Sequence, residues 1–305
     1  MQVKILGSAA GGAFPQWNCA CPNCRAFRGG RFQGKARSQT QVAVSADGES
    51  WFLLGASPDL RSQIEATPEL HPRSGTRSSP IRGVVLASAD LDHVLGLLLM
   101  RELQPFRVHA AEPVIKILRK ENSMFGMLNR VPDQVQWKTL RAGEAFTLES
   151  ANGKAGQITG QALAVSSHYP AYAAHTRDSG EAVLGLILTA PSGGTLGLFP
   201  QLAELTPRLK SVFASLDCLL LDGTFWSDDE LIRLQGSGQR AREMGHIPVG
   251  GEDGTLQQLA ALTTPRKMYI HINNTNPMLN EAGAEYRAVC DAGWELAEDG
   301  CHFTL

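Results

Sequence analysis

Three cysteines fall within one short stretch, WNCACPNCR: Cys19, Cys21 and Cys24. Thiolates are soft donors, and a chain that turns between them brings all three to one ion. Pro22 and Asn23 favour that turn. Zinc takes four tetrahedral ligands, so the spacing predicts a structural zinc whose fourth ligand comes from elsewhere. The competing reading is three unrelated thiols, but three exposed free thiols so close together would oxidise readily.

A second stretch, VVLASADLDHVLGLLLMRE (84–102), places acids and an imidazole between an apolar strand and a helix. Asp92 and His93 stand at the mouth of that helix. Asp90 lies two residues back, and extended alternation would point it the same way as Asp92. If Asp90 merely capped the helix, one carboxylate would be explained, but not two and a histidine. Asp222 ends the apolar strand of CLLLDGTFW, facing the usual ligand crevice of an α/β fold. His271 sits within the apolar run of MYIHINNTNP, followed by Asn273, Asn274, Thr275 and Asn276. Burying that polar run requires hydrogen-bond partners, which suggests a loop shaped around a site. His246 in MGHIPVGG and His168 in SSHYPAY each follow the end of an element, and read equally as site residues or loop histidines. His71, His109, His175 and His302 carry no such signal. GSAAGG lacks dinucleotide-binding spacing.

The elements that must hold these residues are those of an α/β protein. Strand-like runs are 3–6, 40–45, 51–54, 84–87, 146–148, 162–166, 183–188, 195–199, 218–221, 267–272 and 301–305. Helix-like runs are 57–66, 92–103, 112–120, 201–214, 228–235, 255–262 and 281–292. Residues 28–38 and 71–80 read as surface loops. With 305 residues, 43% hydrophobic, the chain can build a sizeable core, and it reads as one domain over 1–305. A formal charge of −2, without a basic field, argues against nucleic acid. No run approaches the ~18–20 apolar residues of a membrane span. The start, MQVKILG, reads as a strand rather than a signal peptide, so the expected compartment is the cytoplasm. Cys218, Cys290 and Cys301 are expected to be small core residues.

Together these segments resemble the metallo-β-lactamase superfamily, whose metal motif reads H-x-H-x-D-H after a strand. Asp92 and His93 match its end, while Ser88 and Asp90 stand at the two leading histidine positions. GSAAGGAFPQWNCACPNCR, LLLDGTFWSDDELI, MGHIPVGG and IHINNTNPML resemble one branch, the coenzyme PQQ synthesis protein B family. The resemblance implies a four-layer αββα sandwich and a role in pyrroloquinoline quinone (PQQ) biosynthesis. It implies one active-site metal, Fe(II), on Asp92, His93, Asp222 and His271, with His246 as a further catalytic group. Asp90, His168 and Asn273 would line the substrate pocket. The implied reaction is an oxygen-using hydroxylation of the tyrosine ring in a small, peptide-derived Glu–Tyr precursor. Alternatives are a carrier of PQQ or its precursor, and a phosphodiesterase-like metallo-hydrolase. A homodimer is left open. The family usually carries an acid at position 88, and Ser88 departs from it.

Overall fold

The strands set the frame. In the computed structural model, which describes residues 1–149, 155–173 and 181–305, the chain forms two compact units. His175 lies outside the described residues. The first unit comprises Met1–Gly7, Thr40–Thr195 and Gly300–Leu305; the second comprises Ser8–Gln39 and Leu196–Asp299.

In the first unit, β1 (Gln2–Gly7), β2 (Gln41–Ser45), β3 (Trp51–Leu54), β4 (Ile81–Val85), β5 (Phe106–Ala111) and β6 (Val135–Leu140) lie side by side. The C-terminal strand, β14 (His302–Thr304), pairs antiparallel with β1. Pairing is antiparallel from β1 to β3 and parallel from β3 to β6. β2 and β3 are buried along their whole length, as strands covered on both faces must be. Further on, β7 (Ala145–Glu149), β8 (Ala155–Ser166) and β9 (Val183–Thr189) form an antiparallel meander.

The second unit is built on four parallel strands: β10 (Thr195–Phe199), β11 (Cys218–Asp222), β12 (Arg266–Ile270) and β13 (Glu295–Leu296). Parallel strands need crossovers, and the helix Pro207–Ala214 supplies the first. Its start is fixed by Thr206, whose hydroxyl takes the Leu209 N–H, and by proline at the first helical position.

Several expected elements differ in length. The 92–103 helix is α-helical only over Leu91–Val94, then tightens to 3-10 geometry over Leu95–Met100. The 267–272 strand stops at Ile270, so His271 lies just beyond it. Residues 22–28 of the thiol loop form a helix rather than a plain turn. Of the three lone cysteines only Cys218 is buried. Cys290 is exposed on the helix Ala284–Asp291, which buries Val289 instead, and Cys301 is half-buried. Among the described residues no helix is long and apolar enough to cross a membrane.

Candidate metal centres

In the first unit, the chain leaves β4 through Leu86–Ala89 and enters the short helix that carries Asp92 and His93. Backbone bonds pin this turn: the Ala56 N–H donates to the His93 carbonyl at 2.7 Å, and the Gly96 N–H to the Ala56 carbonyl at 2.8 Å. Asp90 occupies the N-cap position but makes no side-chain capping bond. Its carboxylate instead accepts the Ser88 hydroxyl at 2.8 Å, and the same oxygen of Ser88 lies 2.9 Å from His93 Nδ1. Ser88 and His93 are both buried. Asp92 sits on the helix, with its carboxylate 3.9 Å from His93 Nε2. The expectation that Asp90 and Asp92 alternate along an extended chain fails, because helix begins between them.

Tyr172, which no motif in the sequence marks, donates its hydroxyl to the Ala89 carbonyl. Burial, and then the nearby Asp90, push this phenol upward from its ordinary pKa. His168 is exposed, with its backbone N–H on the Ser166 hydroxyl. Among the described residues it joins none of the groups of side chains close enough to share an ion.

In the second unit, Asp222 is the last residue of β11 and fully buried. Gly223 follows because a Cβ there would come within 2.9 Å of Tyr269 Cβ. The carboxylate accepts the Thr224 N–H and hydroxyl on Oδ1, and the Leu202 N–H on Oδ2. Oδ2 also lies 2.8 Å from His246 Nδ1. The His246 and His271 rings stack with centroids 5.6 Å apart. Thr224 Oγ1 lies 2.8 Å from His271 Nδ1, and its hydroxyl is also within reach of the His271 carbonyl. His271 has φ +60°, a left-handed conformation uncommon outside glycine, and these contacts hold it there. Asn273 is half-buried, with its N–H on the Thr224 carbonyl. Ligand atoms of Asp222, His246 and His271 all lie within 4.8 Å of one another, so these donor types and their spacing suit a transition metal.

The three thiols also gather in the second unit. Their sulfurs lie within 4.8 Å of one another. Cys19 accepts the Cys21 N–H and Cys21 the Cys24 N–H, which caps the helix Pro22–Arg28. Phe14, Phe27 and Phe32 pack against each other around it. Burial pushes the Cys21 thiol up to about 12, a penalty that a bound cation would reverse. The spacing of the three thiols does not specify the fourth zinc ligand. The structure brings the buried Asn274 carboxamide to 3.1, 3.6 and 3.4 Å from the sulfurs of Cys19, Cys21 and Cys24. A tetrahedral zinc with Zn–S of about 2.3 Å and Zn–O of about 2.1 Å has S···O edges of about 3.6 Å. The amide nitrogen and oxygen exchange places by a half-turn, so Asn274 stands where a fourth donor belongs. Asn274 follows His271 by three residues, so the thiol cluster is not remote from the candidate catalytic loop.

A family model described as a beta-lactamase superfamily domain matches residues 50–272. The class is therefore the metallo-β-lactamase fold, the α/β class expected, with two mixed sheets and helices. The crystal structure of Zn(2+)-bound PqqB from Methylobacterium extorquens superposes with a TM-score of 0.90 at 38% identity, covering all of both chains. Coenzyme PQQ synthesis protein B of Methylococcus capsulatus is 39% identical, and that of Rhodopseudomonas palustris (strain TIE-1) 42%, each over the full length of both chains. The chain belongs to the coenzyme PQQ synthesis protein B family. A diphosphatase of the PhnP family shares the fold with a TM-score of 0.67 at 17% identity.

Proposed function

We propose that this protein acts in PQQ biosynthesis as a mononuclear metalloenzyme, an iron-dependent, oxygen-using hydroxylase of the tyrosine ring in a small peptide-derived Glu–Tyr precursor. The observation that carries this reading is Ser88. At one position of a leading histidine ligand stands a hydroxyl whose contacts go to Asp90 and to Nδ1 of His93. Hydrolysis with two metals clamps the nucleophile between them, and Ser88 and Asp90 do not supply the two leading imidazoles on which the superfamily's other metal site rests. The remaining set is Asp92, His93, Asp222 and His271, two imidazoles and two carboxylates. Such a mixed set on one open ion suits non-haem iron chemistry. Iron(II) bound there supplies the activation of dioxygen. The protein side chains do the rest. His246, paired with Asp222, moves protons at the substrate. Asp90, His168 and Asn273 orient the precursor. A separate zinc is held by Cys19, Cys21 and Cys24, with the Asn274 carboxamide oxygen as fourth donor.

The test is metal analysis of the full chain purified anaerobically without chelator. The wild-type protein is expected to hold one zinc and, after reconstitution, one iron per chain. Cys21→Ser and Asn274→Ala should lower zinc and keep iron. His93→Ala and His271→Ala should lose iron and keep zinc. Unchanged iron in both histidine variants would contradict the ligand assignment.

A further inference from the structure

The two histidines of the proposed metal site are held by the same device, once in each unit. Ser88 has one hydroxyl proton, and the hydroxyl donates it in a hydrogen bond to Asp90 Oδ2 at 2.8 Å. The contact of 2.9 Å between Ser88 Oγ and His93 Nδ1 must then have the imidazole as donor. His93 is thereby fixed with its proton on Nδ1 and its lone pair on Nε2. Thr224 repeats the arrangement. Its hydroxyl donates to Asp222 Oδ1 at 2.7 Å and lies 2.8 Å from His271 Nδ1. His271 is again the donor through Nδ1, and again carries its lone pair on Nε2. In both cases the hydroxyl and carboxylate are two residues apart in sequence, Ser88 before Asp90 and Thr224 after Asp222. His246 needs no intermediary, since its Nδ1 meets Asp222 Oδ2 directly at 2.8 Å.

We propose that Ser88 and Thr224 are positioning residues: each hydroxyl transmits a carboxylate's pull to Nδ1 of one histidine, fixing the tautomer and ring direction in which Nε2 binds metal. Metal-binding histidines are commonly oriented by a carboxylate on the second nitrogen, and losing that partner typically weakens metal binding 10–100-fold. Here the carboxylate acts at one remove. The carboxylate that acts on His93 is that of Asp90, which reaches Nδ1 through Ser88. Asp222 serves two histidines, His246 directly and His271 through Thr224.

The inference rests on the proposed metal site only for its effect on affinity; the tautomers themselves exist without metal. The experiment is therefore two measurements on Ser88→Ala and Thr224→Val, which remove each hydroxyl with little change in shape. Side-chain 15N NMR of the metal-free protein reads which ring nitrogen carries the proton. Anaerobic iron titration reads affinity. His93 and His271 are expected as Nδ1–H tautomers in the wild type. Each should lose that preference in its own variant, while His246 keeps it in both. Iron affinity should fall about 10–100-fold in each variant and return in Ser88→Thr and Thr224→Ser. These rescue variants keep the hydroxyl and separate positioning from a folding defect. Unchanged tautomers in both deletion variants would overturn the proposal. Tautomers that shift as expected in a protein that binds no iron would leave the relays standing and remove the metal reading instead.

Discussion

Glu230 shows what burial does to a single carboxyl. It lies at the start of the helix Glu230–Gln235, accepts the Trp226 N–H at 2.7 Å, and takes the Thr275 hydroxyl on its other oxygen. Burial pushes its pKa up to about 7, from an ordinary 4.5. Between those values the folded chain holds a proton that the unfolded chain releases, so folding is favoured by acid. The contribution is full below about pH 4.5, declines as pH rises, and is gone above about 7. At about 1.4 kcal/mol per pKa unit, the swing is about 3 kcal/mol. Glu230→Gln keeps the shape and removes the titration. Denaturation from pH 5 to 8 should show the wild type losing stability relative to this variant as pH rises; parallel curves would contradict the assignment. At this scale the sequence was most legible where a charged or imidazole group interrupts an apolar run, as at Asp92, His93, Asp222 and His271. Ser88, Thr224 and Asn274 were illegible as partners because hydroxyls and amides are common in loops. Only their distances distinguish them.

At the scale of elements, the turn carrying Asp92 and His93 depends on a close backbone approach. A Cβ on Gly96 would lie 2.3 Å from the Ser57 carbonyl oxygen and 2.8 Å from that of Ala56. Backbone atoms cannot swing aside as a side chain does, so Gly96→Ala must shift the turn and the His93 carbonyl bonded to Ala56. The expected loss is about 1–3 kcal/mol, read as a lowered melting temperature, together with weaker iron binding. A variant with unchanged melting temperature and iron affinity would show that the turn is not so constrained. Strand boundaries were legible where apolar runs are uninterrupted, and 51–54 and 195–199 fall where expected. β5 went unseen because Arg107 and His109 sit inside it. Burial, then Arg107 and Lys138, push His109 down to about 4, which keeps it neutral within the sheet. β6 shows no apolar run, because only Leu140 of it is buried and Gln136, Lys138 and Thr139 interrupt its apolar residues. The helix expected over 92–103 is shorter because the hydrogen bonding tightens past Val94, although apolar spacing continues there.

At the scale of the whole molecule, the chain passes between its two units at 7/8, 39/40, 195/196 and 299/300. The residues proposed for one metal are therefore far apart in sequence: Asp92 and His93 belong to the first unit, Asp222 and His271 to the second. No local pattern points to that grouping; it is proposed from the order of motifs shared with the superfamily. The thiol cluster and the loop after His271 share the second unit, which spacing in the sequence could not indicate. The central claim is that these residues support oxygen-dependent hydroxylation. Its most direct test is oxygen uptake by the anaerobically iron-loaded full chain on addition of air and a Glu–Tyr precursor, with the ring product measured in the same sample. The account predicts uptake coupled to ring hydroxylation, abolished in His93→Ala. Tight binding of PQQ with no oxygen uptake, whichever metal is loaded, would contradict it and leave the protein a carrier.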